Sequence, residues 1–167
     1  MYQICPLKCS HFRETIEYLI KDSKLWDITT FHLVKDGRPL VLKTLPNNQD
    51  LVVYLEKVYG TVAYVINRHA AKKLLEKSLP IKMPVDNYFT MSWELDLKFT
   101  GIENSRIAIQ FMGDSDIGTE NSRYIKGKSS IFDRIKRRLY KKQSYIIRYL
   151  YNLKIYLKNK WSIFMTM

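Results

Sequence analysis

The residues best placed to do chemistry surround one carboxylate, Asp86, which follows a loop containing two prolines. Residues 59–88 read YGTVAYVINRHAAKKLLEKSLPIKMPVDNY, and this order predicts a short strand, a helix and a loop that holds Pro80 and Pro84. Loops after regular elements commonly carry functional side chains, because the strands and helices hold them in place. An aspartate at this point could act as a general base, or it could cap the helix that follows. The residues alone leave both roles open.

Small and polar residues flank the same segment. Gly60 allows close approach of a ligand or of another backbone, and Thr61 and Tyr64 follow it on the predicted strand. These three residues are a candidate ligand-binding edge or, alternatively, a tight turn and a core strand. Asn87 and Tyr88 stand next to the aspartate, and they are candidate ligand contacts or ordinary residues of a first helical turn.

The first 122 residues alternate between strand and helix patterns, which predicts one α/β domain. Apolar residues at helical spacing predict the helices, and runs of β-branched and aromatic residues predict the strands. Asn67 is expected to be the N-cap of the helix in the candidate segment. The predicted helices cover residues 11–22, 68–77 and 87–95, and the predicted strands cover residues 27–34, 39–44, 51–58, 61–66, 98–102 and 106–111.

The C-terminal region holds the whole net charge of +12. Residues 123–167 contain thirteen Lys or Arg and one acid, whereas residues 1–122 contain fifteen basic and fifteen acidic residues. Apolar residues recur every three or four positions from Lys128 onward, which predicts an amphipathic helix on the order of 50 Å long. That length exceeds what a compact domain of residues 1–122 needs, so we interpret residues 123–167 as a helical appendage. The predicted apolar stripe consists of Ile131, Ile135, Leu139, Ile146, Leu150, Leu153, Leu157 and Trp161.

Three functions are open for the basic segment 124–167. A basic amphipathic helix can lie on an anionic membrane surface, where each Lys or Arg contributes about 1 kcal/mol. The same charge could bind nucleic acid, but the segment has no glycine-rich or stacked-aromatic motif that would favour this function. A solvated helix docked on a partner is the third possibility. No run of eighteen apolar residues is present, so no transmembrane helix is predicted.

The cysteines and histidines give no metal-ligand pattern. Cys5 and Cys9 form a C-x3-C pair without a second pair, so they are expected to be thiols in a reducing compartment. His11, His32 and His69 share no spacing typical of a metal site. The N-terminus has no apolar run behind a basic start, so no signal peptide is expected. No metal ligand is therefore assigned in this chain.

The candidate segment resembles the C-terminal part of glycosyltransferase family 25, the lipooligosaccharide and lipopolysaccharide biosynthesis transferases. The resemblance covers residues 12–118, and it is specific because three strings occur together at fitting spacing. These strings are GTVAYVINR at 60–68, AAKKLL at 70–75 and PVD at 84–86, with WDI at 26–28, IQ at 109–110 and SDIG at 115–118 as further matches.

The resemblance implies a GT-A-like fold and the transfer of a hexose, typically galactose, from a nucleotide sugar such as a UDP-hexose to a saccharide acceptor. It implies that Asp86 is the general base of an inverting transfer or a group that binds the acceptor. The substrate-binding residues that it implies are Gly60, Thr61, Tyr64, Asn87, Tyr88, Gln110 and Asp116.

The family pattern also includes a divalent metal, Mn or Mg, and an acidic cluster of E-D-D type ahead of the matched region. This chain starts after the point where that cluster would stand, and the D-x-D string at 114–116 lies too far along to take its role. We therefore expect an incomplete, truncated GT-A-like domain with little or no activity alone. A lipid-linked acceptor would fit a protein held by its basic helix on the inner, cytoplasmic face of a bacterial membrane. The alternative is a non-catalytic module that binds a membrane surface or nucleic acid through that helix.

Overall fold

The computed structural model describes residues 9–32, 37–58, 63–81, 83, 85–103 and 130–165. The predicted strand 106–111 and the candidate residues Gly60, Thr61, Gln110 and Asp116 lie outside the described residues. The elements, in chain order, are α1 (Cys9–Lys21), β1 (Ile28–His32), β2 (Pro39–Thr44), β3 (Asp50–Tyr54), β4 (Ala63–Ile66), α2 (Arg68–Ser78), α3 (Val85–Thr90), α4 (Ser92–Leu95), β5 (Phe99–Glu103) and α5 (Ile131–Met165).

The described strands form one mixed sheet in the order β2-β3-β5-β1-β4. Strands β1 and β5 are parallel, with Ile28 opposite Phe99, and the other neighbouring strands are antiparallel. The buried hydroxyls of Thr29 and Thr100 lie 2.8 Å apart across the parallel pair, so each satisfies the other inside the core. The α/β class predicted from the sequence is therefore confirmed.

Side chains of the inner strand β3 alternate between the two faces of the sheet. Helices pack on both faces, so there are two hydrophobic clusters. Leu51 and Val53 join a cluster that includes Leu19 of α1 and Ile155 of α5. Val52 and Tyr54, which point to the other face, join a second cluster. The second cluster takes its helical members from α2, α3 and α4, and these are Ala70, Phe89 and Leu95.

Two elements depart clearly from the sequence-based predictions, and the other boundaries differ by at most two residues where both ends are described. The strand predicted over 51–58 ends at Tyr54, which lies opposite Pro39, the first residue of β2. The helix predicted over 87–95 is two short helices, α3 and α4, separated at Met91. Helix α4 stops at Asp96, whose backbone is left-handed with φ 49°.

The second half of α5 packs against the sheet, so the interpretation of this helix as an appendage is wrong for that half. Asn152 Nδ2 donates to the backbone oxygen of Tyr54 at 2.7 Å, and Asn159 Nδ2 donates to that of Leu25 at 3.4 Å. Buried side chains recur every three or four residues and so lie on one side of the helix. They are Ser144, Arg148, Asn152, Ile155 and Asn159.

The predicted apolar stripe lies on the nearly opposite side of α5 and faces away from the sheet. An α-helix has about 3.6 residues per turn. At that spacing every stripe residue in the packed second half of α5 points more than a quarter turn away from every buried residue of the helix. Leu150 is 59% exposed, Leu157 57% and Trp161 70%. Of the eight stripe residues only Leu153 is half-buried, and the other seven are exposed. The side of the helix that contacts the sheet is therefore mixed, with buried polar residues beside Ile155, Tyr156 and Ile163.

Candidate functional site

Helix α3 carries Asp86 in its first turn. The helix begins at Val85, so Asp86 lies inside it, and the prediction of Asp86 as the N-cap of a helix over 87–95 is wrong. The side chain of Asp86 lies outside what the structure describes. The position of α3 itself is fixed by contacts of the residues that follow.

Phe89 anchors α3 to the sheet. Its side chain is 1% exposed, and its ring meets the Tyr64 ring of β4 edge to face, with the centroids 4.9 Å apart. On another side the ring of Phe89 lies 6.1 Å from that of Phe99, on β5. The structure thus brings two predicted site elements together, the helix that carries Asp86 and the strand that carries Tyr64. Tyr64 keeps 43% of its surface exposed and is available to a ligand.

Tyr88 and Asn87 are both half-buried at the start of α3. The Tyr88 hydroxyl donates to the backbone oxygen of Ser78 at 3.3 Å, which ties α3 to the last residue of α2. Tyr88 therefore positions the helix that carries the candidate base, in addition to any contact it makes with a ligand.

Residues that carry the family resemblance meet at one hydrogen-bonded junction. Asn67 caps α2, because its Oδ1 accepts from Ala70 N at 2.8 Å, and this confirms the predicted cap. Asn67 Nδ2 donates to Trp26 O at 3.1 Å and to Asp27 Oδ1 at 2.9 Å. The other carboxylate oxygen of Asp27 accepts from Lys98 N at 2.9 Å. The Asn67 amide and the Asp27 carboxylate thus join the starts of β1, α2 and β5. Both residues therefore have structural roles.

The variant Asn67→Ala is expected to lower the free energy of unfolding by about 1 to 2 kcal/mol, because it removes the cap of α2 and the donor to Asp27 Oδ1. Urea unfolding followed by circular dichroism measures this change. Asn67→Ser is the control, since serine keeps a cap acceptor but cannot reach the carboxylate, and it should recover part of the loss. A change below about 0.5 kcal/mol for Asn67→Ala would contradict the structural role of the junction.

A second polar site lies in a cleft of about 490 Å³ between α2, the turn before β5 and α5. We call it the lysine cleft, after the four lysines that line it together with two aspartates, one histidine and one tyrosine. No local sequence pattern predicts this site, because it forms only when α5 folds back beside α2. Its lysines are Lys73, Lys98, Lys154 and Lys158.

Tyr151 supplies a hydroxyl at the wall of the lysine cleft. This hydroxyl donates to Asp96 Oδ1 at 3.1 Å, and Lys73 Nζ lies 3.8 Å from the other oxygen of the same carboxylate. Burial, followed by the negative charge of Asp96, raises the pKa of Tyr151 far above its usual range. The phenol therefore stays protonated and remains a donor at physiological pH.

The described residues do not fit the divalent metal that the resemblance implies. Among the side chains that the structure describes, no three His, Cys, Asp or Glu lie together as a metal site requires. The two cleft aspartates are occupied, since Asp27 accepts from Asn67 and Lys98, and Asp96 accepts from Tyr151. No reaction step is therefore assigned to a metal.

Comparison with protein families finds a match over nearly half of the chain. The matching family is glycosyltransferase family 25 (LPS biosynthesis protein), and the match covers residues 9–89, from α1 into α3. This match confirms the resemblance to that family over the matched segment. The match includes Tyr64, Asp86, Asn87 and Tyr88, but it does not reach α5. Neither the curated proteins nor the solved structures contain a match to the chain.

Proposed function

We propose that the protein transfers a hexose, with galactose as the expected sugar, from a nucleotide sugar to a lipooligosaccharide or lipopolysaccharide acceptor, at a low rate when this chain acts alone. The observation that carries this proposal is the family match over residues 9–89, which includes the candidate base Asp86. The anchoring of α3 by Phe89 supports it, because a base must be held within hydrogen-bonding reach of the proton that it removes. Residues 1–122 would form the transferase part, with a GT-A-like fold. Residues 123–167 would attach this part to a membrane surface.

In the proposed reaction, Asp86 takes the proton of an acceptor hydroxyl as the hydroxyl oxygen attacks the anomeric carbon of the hexose. The bond between that carbon and the phosphate oxygen breaks, and the nucleoside diphosphate leaves with the electron pair. Tyr64, Asn87 and Tyr88 are proposed to contact the saccharides from β4 and α3. Four further residues are proposed to bind substrate on the strength of the resemblance, and these are Gly60, Thr61, Gln110 and Asp116.

The variant Asp86→Asn tests the base, because an amide has the shape of the carboxylate but cannot take the proton. We expect it to lower the rate of transfer by about 100-fold or more. The measurement is the incorporation of labelled galactose from UDP-galactose into a lipooligosaccharide acceptor by the full chain. Glu94→Gln makes the same chemical change at an exposed residue of α4 and should retain the activity.

Equal activity of Asp86→Asn and the unmodified chain would rule out Asp86 as the base. Absence of any transfer by the unmodified chain would contradict the catalytic proposal for this chain. The non-catalytic alternative, a module that binds a membrane surface, would then be favoured by the exposed stripe of α5.

We also propose that α5 holds the protein on the anionic inner face of a bacterial cytoplasmic membrane, close to a lipid-linked acceptor. None of the described helices has the length and apolar character needed to span a bilayer. The proposal is supported by the outward-facing stripe of α5 and by the basic residues beside it, which complement an anionic surface. Four further basic residues cluster on another side of the first half of the helix, and they are Arg134, Arg137, Arg138 and Lys141. Co-flotation with anionic vesicles tests this attachment.

A further inference from the structure

The lysine cleft is separate from the candidate transferase site. Asp27 and Lys98, which line the cleft, immediately precede β1 and β5, so the cleft lies at the amino ends of this parallel pair. The candidate substrate residue Tyr64 pairs with Thr30 further along β1. The transferase reaction proposed for Asp86 makes no use of the cleft.

The cleft has an excess of positive charge. Its four lysines oppose two aspartates, which gives a net charge of +2 with the histidine neutral. Both aspartates are already engaged, Asp27 by Asn67 and by a backbone N–H, and Asp96 by Tyr151 and Lys73. Asp96 therefore pairs with Lys73 on the α2 side of the cleft, and the two lysines of α5 leave the opposite wall positive.

Lys154 and Lys158 form that positive wall. They are four residues apart on α5, so their like charges lie side by side and destabilise each other. Among the described residues, neither lysine forms an ion pair with a carboxylate. An anion in the cleft would relieve this repulsion, and His69 and the Tyr151 hydroxyl lie on the walls near it.

We propose that the lysine cleft binds a phosphate ester. A tetrahedral anion with several oxygens can accept from Lys154, Lys158 and His69 at once, and ammonium groups bind phosphate as point charges. The volume of about 490 Å³ exceeds what a single phosphate needs and leaves space for the group esterified to it.

The ester could belong to a lipid headgroup or to a soluble molecule. Lys154 lies between Leu150 and Leu157, four residues before and three residues after it, so the cleft opens beside the exposed stripe of α5. A phosphate on a bilayer surface would therefore be within reach when the stripe lies on that surface. The same chemistry would capture a free phosphorylated saccharide.

Titration of the full chain with glycerol 3-phosphate, followed by calorimetry and by the NMR signals of His69 and Tyr151, tests the site. We expect binding by the unmodified chain and at least about tenfold weaker binding by Lys154→Gln/Lys158→Gln, which removes two charge-assisted hydrogen bonds. Lys136→Gln/Lys142→Gln is the matched control, since it removes the same charge from exposed positions of α5 outside the cleft. The control should change the affinity by less than about twofold.

Vesicles of phosphatidylcholine with and without phosphatidic acid form the second arm. Binding of glycerol 3-phosphate that depends on the cleft lysines would assign a soluble phosphate ester, and dependence seen only with phosphatidic acid vesicles would assign a lipid headgroup. Failure of the unmodified chain to bind in either arm would overturn the proposal. Equal losses of affinity in the two double variants would also overturn the proposal, because binding would then follow net charge alone.

Discussion

Replacing Leu150, Leu157 and Trp161 by glutamine is expected to abolish most of the binding of the protein to anionic vesicles. Each of these side chains is more than half exposed, and each would be removed from water at the acyl boundary of a bilayer. A loss of about 1 kcal/mol for each of the three lowers the partition coefficient by on the order of 100-fold. Glutamine is chosen because it favours the helix, so α5 should remain folded. Flotation with vesicles that contain phosphatidylglycerol measures the partition coefficient.

The matched control replaces Leu75, Leu79 and Ile81 by glutamine. These residues are also exposed, at 64%, 61% and 77%, but they lie around the end of α2 rather than on α5. The control should bind vesicles as the unmodified protein does. Equal partitioning of the stripe variant and the unmodified protein would remove the basis for attachment through α5. Salt-dependent binding to DNA without binding to vesicles would favour the nucleic-acid alternative instead.

Phe89→Ala is expected to cost about 3 to 5 kcal/mol of the free energy of unfolding, which is a large part of the stability of a typical domain. The ring is almost fully buried and packs against the rings of Tyr64 and Phe99, so its removal leaves a cavity under α3. Because α3 also carries Asp86, we expect any transferase activity to fall in the variant even where it remains folded. Urea unfolding at neutral pH gives the free energy.

Phe164→Ala makes the same chemical change at a side chain that is 74% exposed near the end of α5. Its effect on the free energy of unfolding should stay within about 0.5 kcal/mol. A cost below about 1 kcal/mol for Phe89→Ala would mean that α3 is not held by this ring. The position of the candidate base would then need another explanation.

The features that were predictable from the sequence are those encoded by neighbouring residues. Asn67 is a strong N-cap type followed by an apolar stripe, so both the cap and the extent of α2 could be predicted. Strand β2 has the predicted bounds, because Pro39 limits one end and a polar turn limits the other. The side-chain type of Asp86 predicts a cap, but α3 already begins at Val85, two residues before the predicted start.

The packing of α5 could not be predicted because its periodic apolar residues indicate the wrong side. The stripe has a regular apolar pattern, whereas the buried side is defined by Asn152 and Asn159, whose partners are backbone groups far away in the sequence. Apolar periodicity reports a face that avoids water, and it does not distinguish a face packed on the sheet from one left for another surface. The lysine cleft was missed for the same reason, since Lys73 and Lys154 become neighbours only through this packing.

The two asparagines of α5 also determine which kinds of sequence change the helix can tolerate. Both donate to main-chain oxygens, those of Tyr54 and Leu25, and a main-chain oxygen is present whatever side chain occupies the position. Substitutions at these two acceptor residues would leave the hydrogen bonds available, whereas an insertion or deletion in the loops that lead to them would displace the acceptors. The packing of α5 therefore depends more on the lengths of the loops that lead to Tyr54 and Leu25 than on the side chains at these two positions. These two hydrogen bonds therefore require the spacing of the acceptors and not a particular side chain at either of them.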